Sequence, residues 1–130
     1  MGDIQGREDI EILINTFYEK VKNDDKIGHI FTQIIGSDWS HHLPVMYSFW
    51  DMVLFSKAGY AGNPTRKHLE INTRTPLHPE HFDRWLQLWN GNADSLFTGP
   101  NADMAKNKAM LMANLISMKV EMAQDGRLIQ

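Results

Sequence analysis

The chain holds six histidines and no cysteine. Any metal bound to it must therefore be taken by imidazole, carboxylate, phenol or thioether groups. His68 lies in the stretch GNPTRKHLEI, from Gly62 to Ile71. Asn63 suits a helix cap, and Pro64 suits the first helical position, where its missing N–H would be unpaired anyway. His68 follows one turn later, beside the cations Arg66 and Lys67. Two readings stand for it. It is either an exposed histidine near a helix start or an axial ligand to haem iron, binding through one ring nitrogen while the other donates to a backbone carbonyl. In the second reading Arg66 or Lys67 pairs with the haem propionates; in the first they are simply solvated.

Three more features carry possible chemistry. His41 and His42 are adjacent, so on a helix they point in different directions and cannot easily serve one metal. Either one is on the surface and the other half-buried, or His42 stands at the mouth of a pocket, on the helix face that carries Met46 and Phe49 or Trp50. Tyr18 and Trp85 each lie on an apolar stripe yet carry a polar handle, and a buried phenol O–H or indole N–H needs a partner. That partner is either a backbone carbonyl or a bound diatomic ligand that draws negative charge onto its outer atom. Phe31 is ordinary core or a ring lying against a flat cofactor. No phosphate loop, HExxH or GxSxG pattern is present, and the carboxylates are scattered as capping and solvation would place them.

The elements that must position these residues are helical. Asp9 is expected to cap a first helix, whose apolar stripe is Ile10, Leu13, Ile14, Phe17 and Val21, with Tyr18 at its border. It ends at Asn23-Asp24-Asp25, and a short turn spans Ile27 to Phe31. A second helix runs from about Trp39 to Phe55, with Pro44 either in its first turn or kinking it after His42. Residues from Lys57 to Pro64 read as loop, and the short His68 helix follows. Pro79 opens a helix carrying Phe82, Trp85, Leu86 and Trp89, which Gly91 is expected to weaken before Leu96-Phe97. After Gly99-Pro100 a last helix covers roughly Ala102 to Ala123, with Ala105, Met112, Leu115, Ile116 and Val120 as its stripe. No stretch alternates with period two. The fold class is all-α, and residues 1–130 read as a single domain with a short polar N-terminal extension.

Composition bounds the partners. The chain has 130 residues, 42% hydrophobic and 22% charged, which suits one domain with a real core. The net charge of -3 argues against nucleic acid or an anionic membrane as the main partner. The absence of cysteine removes disulfides, iron–sulfur clusters and thiolate-bound haem. No apolar run approaches the roughly 18 residues that span a bilayer, and the first residues are polar and lack the apolar core of a signal peptide. A soluble, cytoplasmic protein is expected.

Taken in order, six pieces resemble one family: FYEKV at Phe17–Val21, IF at Ile30–Phe31, HLPVMYSFW at His42–Trp50, YAGNPTRKH at Tyr60–His68, HFDRWLQLW at His81–Trp89 and LFTG at Leu96–Gly99. The chain resembles the truncated haemoglobins, group III, over roughly Ile10 to Val120. The resemblance implies a truncated globin fold, the two-over-two helical sandwich, in which the first two long helices pack on the last two. It implies haem b with His68 as the proximal iron ligand. Phe31 is similar to the family's ring that packs on the haem. Tyr18, His42 and Trp85 look like the distal residues around a bound gas, and Met46 and Trp50 fall where the family lines the pocket. Tyr60, Arg66 and Lys67 belong to the same cofactor-binding stretch. The implied ligands are O2, NO and CO, with an unidentified reductase as partner, in a monomer. NO dioxygenation or a peroxidase-like reaction suits such a site better than bulk oxygen transport. His42 would act as a gate, or would bind the iron when no gas is present. Two rivals stand beside this reading. One is a cofactor-free helical interaction module, and the other a non-haem metal site built from His41, His42 and His68.

Overall fold

The computed structural model describes residues 2–35, 39–57 and 77–124. Among them are five helices and no strand: α1 (Arg7–Lys22), α2 (Gly28–Ile35), α3 (Trp39–Phe55), α4 (Pro79–Leu96) and α5 (Pro100–Gln124). The long helices form a two-over-two sandwich. The α1/α3 pair lies against the α4/α5 pair, with α1 also packed on α4 and α3 on α5. The fold class expected from periodicity is the one observed.

Each helix buries the face its sequence provides. In α1 the buried set is Ile10, Leu13, Ile14, Phe17, Tyr18 and Val21, the stripe read from the sequence. In α5 the buried face is made of small residues: Ala102, Ala105, Ala109 and Ala113, followed by Ile116 and Val120. These alanines leave room for bulky rings from α3 and α4. Trp89 is 1% exposed, and its Nε1–H donates to the Ala105 carbonyl at 3.2 Å. Leu115 is not part of that face. It is 45% exposed, on the side of α5 that carries Met104, Leu111 and Met118, which are also exposed. A helix apolar on both sides gives a stripe too broad to resolve by spacing alone.

Three local expectations are corrected and a fourth, the place of Pro44, is narrowed. Asp9 does not cap α1. Gly6 is the cap residue, and Asp9 in the first turn accepts the Gln5 N–H instead. The stretch from Gly28 is not a turn but an eight-residue helix. Pro44 lies inside α3, whose described bounds run from Trp39. Gly91 does not interrupt α4; it sits exposed with open space around it, so the helix continues to Leu96.

The start of α2 is set tightly. A Cβ on Gly28 would lie 2.9 Å from the carbonyl oxygens of Val21 and Lys22, so only glycine lets α2 leave α1 this closely. Asp24 holds the turn: its carboxylate accepts the N–H groups of Lys26 and Ile27 and pairs with Arg84 of α4 at 2.7 Å. This junction sets Phe31, on α2, against Tyr18, on α1.

Candidate functional site

Tyr18 faces inward from the penultimate turn of α1 and is 7% exposed. Its hydroxyl lies 3.3 Å from His42 Nε2 on α3. Which of the two groups donates depends on the imidazole tautomer. Burial pushes the phenol pKa far above its ordinary value, so Tyr18 keeps its proton. Aromatic edges enclose the pair. Phe31, Phe17 and Trp39 stand 6.0, 5.0 and 5.3 Å from the Tyr18 ring, and the His42 ring meets it at 82°.

Phe17 joins this cluster to a second one. Its ring meets the edges or faces of Trp85 and Trp89 at 5.6 and 4.9 Å. Trp85 and Trp89 stack with planes 5° apart and centroids 5.7 Å apart, and Trp89 stacks in turn on Trp50 at 4.5 Å and 21°. Trp85 is half-buried, whereas Trp89 and Trp50 are fully buried. Met46 packs on the same core from α3.

Of the residues singled out in the sequence, Tyr18, His42 and Phe31 come together directly. Trp85 reaches this group through Phe17, and Trp50 lies behind Trp85 in the indole stack. Tyr60, Arg66, Lys67 and His68 lie outside the described residues. His41 is exposed, as expected for one of two adjacent helical histidines. Among the described residues no group of three or more His, Cys, Asp or Glu side chains could hold a metal ion, and no helix is long and apolar enough to cross a membrane.

Trp39 belongs to the aromatic cluster around Tyr18 and His42 and was missed. Its ring lies 5.9 Å from His42, under the Lys22 ammonium at 4.7 Å. The signal was present: Trp39 precedes His42 by three residues and so shares its helix face. Its place at the expected start of a helix hid it.

No protein-family model matches the chain. The group 3 truncated hemoglobin ctb of Campylobacter jejuni is 30% identical over 111 residues, covering 83% of this chain and 85% of that protein. The chain belongs to the group III truncated haemoglobins. The crystal structure of the group III truncated hemoglobin from Campylobacter jejuni matches it with a TM-score of 0.84 at 27% identity, over 92% of this chain and 95% of that one. In this truncated haemoglobin Tyr18, kept protonated by burial, and His42 face each other inside an aromatic rim. Such a donor set fits a flat, largely apolar cofactor that carries a small polar ligand.

Proposed function

We propose that this truncated haemoglobin holds haem b, with His68 on the iron, and binds O2, NO and CO in the pocket bordered by Tyr18, His42, Phe31 and Trp85. The observation that carries the proposal is the buried Tyr18 hydroxyl facing His42 Nε2 across 3.3 Å, with rings closing the space around it. When bound, haem supplies an iron that takes diatomic gases reversibly and exchanges single electrons.

The side chains do the rest. Tyr18 stays protonated and can turn its O–H from His42 to a ligand that gathers negative charge. A hydrogen bond of that charge-assisted kind is worth about 1.5–3 kcal/mol. The surrounding rings keep water out, which strengthens it. Trp85 offers an indole N–H from the neighbouring element. His42 stands inward and closes the pocket on the α3 side; swung outward, it opens a path for the ligand. Phe31 and Met46 give apolar walls. Arg66 and Lys67 hold the propionates, and Tyr60 belongs to the same stretch. Tight retention of an oxygen ligand suits redox turnover with a separate reductase, by NO dioxygenation or a peroxidase-like reaction, better than transport.

Two measurements test this. Purified protein given haemin should show a Soret band; a colourless protein that takes up no haemin leaves the cofactor-free interaction module as the reading. In His68→Gly, haem binding should weaken or fail and return with added imidazole. Axial-histidine spectra persisting in that variant without imidazole would remove His68 from the iron.

A further inference from the structure

Three of the four tryptophans form one ladder: Trp85, Trp89 and Trp50, with centroid steps of 5.7 and 4.5 Å and planes 5° and 21° apart. Trp85 is the half-buried end beside the pocket, and the other two are sealed in the core. Ring packing alone is satisfied by edge-to-face contacts as well as by stacks, and Phe17 and Phe49 use edges here. A run of three near-parallel indoles does something edges do not: it puts one π face on the next along the whole path.

We propose that Trp85, Trp89 and Trp50 are a one-electron relay that draws an oxidising equivalent out of the pocket when a peroxide reacts there. The proposal rests on the haem reading above. A peroxide takes two electrons and two protons and leaves as two hydroxyl products, water when the peroxide is H2O2, with the O–O bond broken. Haem, when bound, would supply one of those electrons and Trp85 the other, Trp85 becoming a radical cation; the two protons come from solvent. Trp89 then reduces Trp85, and Trp50 shares the hole with Trp89 by the same kind of step, with no bond made or broken. Trp89 is the favoured resting place, because a cation on it lies between two aromatic faces and gains cation–π attraction from both. Its Nε1–H donates to the Ala105 carbonyl, which is too weak a base to take the proton, so the hole stays charged and mobile.

Trp39 is the built-in contrast. It also borders the pocket, 5.3 Å from Tyr18, but the Lys22 ammonium sits over its ring at 4.7 Å. A positive charge there opposes a second one on the same ring. The oxidising equivalent is thus steered to the ladder and away from the indole that touches Tyr18.

The test uses ferric, haem-loaded protein and stoichiometric hydrogen peroxide, read by freeze-quench EPR and by mapping oxygen addition in peptides. The parent should show a tryptophanyl radical. Trp89→Phe should shorten its lifetime by roughly tenfold, the weight of one strong cation–π contact, and oxygen addition should rise at half-buried Trp85. Lys22→Met removes the charge over Trp39 and should raise oxygen addition there by a similar factor. Trp50→Phe is the second core variant, should Trp89→Phe not fold. An unchanged radical lifetime in whichever core variant folds, together with unchanged labelling of Trp39 in Lys22→Met, overturns the relay. If no Soret band forms, the haem reading has failed on its own. A photogenerated ruthenium(III) polypyridyl oxidant then poses the same question to the haem-free protein: oxidation confined to the ladder supports the relay, and oxidation of Trp39 equal to that of Trp85 overturns it.

Discussion

A phenol on an apolar helix stripe has to find a hydrogen-bond partner once buried, and Tyr18 finds His42. Replacing Tyr18 with Phe keeps the ring contacts to Phe31 and Trp39 and removes only the O–H. Oxygen release should therefore speed up by roughly 10- to 100-fold, the equivalent of about 1.5–3 kcal/mol. Carbon monoxide, which gathers little charge, should leave at nearly its original rate. Stopped-flow dissociation of both gases checks this, and equal acceleration of the two would mean the hydroxyl acts through space-filling. His42 gives a second prediction at this scale. An imidazole standing in the path of an entering ligand helps to set how fast the ligand enters. In His42→Leu the entry rate, read by stopped flow, should be altered; identical rates in both proteins would leave His42 no part in access. Tyr18, His42 and Trp85 were each legible as polar groups on apolar faces. Trp39 was less so: it shares a helix face with His42, but Tyr18 and Lys22, the other groups against its ring, lie on α1.

The N-terminal extension proves to be part of the α5 element. Ile4 is fully buried, and the Asp3 carboxylate accepts the N–H groups of Ile4, Asn101 and Ala102 at 2.8, 2.9 and 2.9 Å. It thus caps α5 from outside the helix, where the exposed N–H groups and the helix dipole both favour a negative charge. The corner tolerates no side chain at Gly99, whose φ is +142° and whose Cβ would lie 2.6 Å from Asp3 Cγ. Burial opposes ionisation of Asp3, but the three backbone hydrogen bonds outweigh it and hold the carboxyl below its ordinary value. A carboxyl depressed in the folded state stabilises above its unfolded pKa, and that contribution fades as pH falls through the folded value. Asp3→Ala should cost about 1–2 kcal/mol at pH 7. In urea melts the gap between parent and variant should narrow below about pH 4. A gap of constant size down to pH 2.5 or so would show that the ionised form is not what α5 requires. The sequence displayed a polar N-terminus and a final helix; it did not display that one caps the other, since 98 residues separate Asp3 from Asn101.

At the scale of the molecule, the Tyr18–His42 contact depends on how α1 lies across α3, and an ion pair among the described residues ties the two helices. Asp51 is 5% exposed, with Arg7 Nη1 2.5 Å from its Oδ2, while its Oδ1 has no hydrogen-bond partner. Arg7 itself is partly exposed, at 42%, so solvent screens the attraction and the pair adds little. Breaking it is another matter. Arg7→Met leaves a buried carboxylate unpartnered and should destabilise the protein by about 1–3 kcal/mol. The double variant Arg7→Met/Asp51→Leu should regain most of that loss, because it removes the stranded charge as well. Thermal or urea unfolding of the two variants decides it: a double variant no more stable than Arg7→Met would mean that the arginine acts by packing on Tyr47, whose ring lies 5.4 Å from its guanidinium.

The amino-acid sequence by itself determined that this protein is all-α, where its long helices run, and which polar groups stand on their apolar faces. Those properties follow from spacing within one helix, where 3.6-residue periodicity sorts side chains onto faces without help from the rest of the chain. Tertiary structure decided which faces meet. Tyr18 and His42 stand 24 residues apart and touch only because α1 packs on α3. The indole ladder joins α3 to α4 only because the alanine face of α5 leaves room for Trp89 and Trp50 to lie flat on one another. Contacts of that kind are fixed by packing volume and crossing geometry, and neither is written in any local stretch of residues.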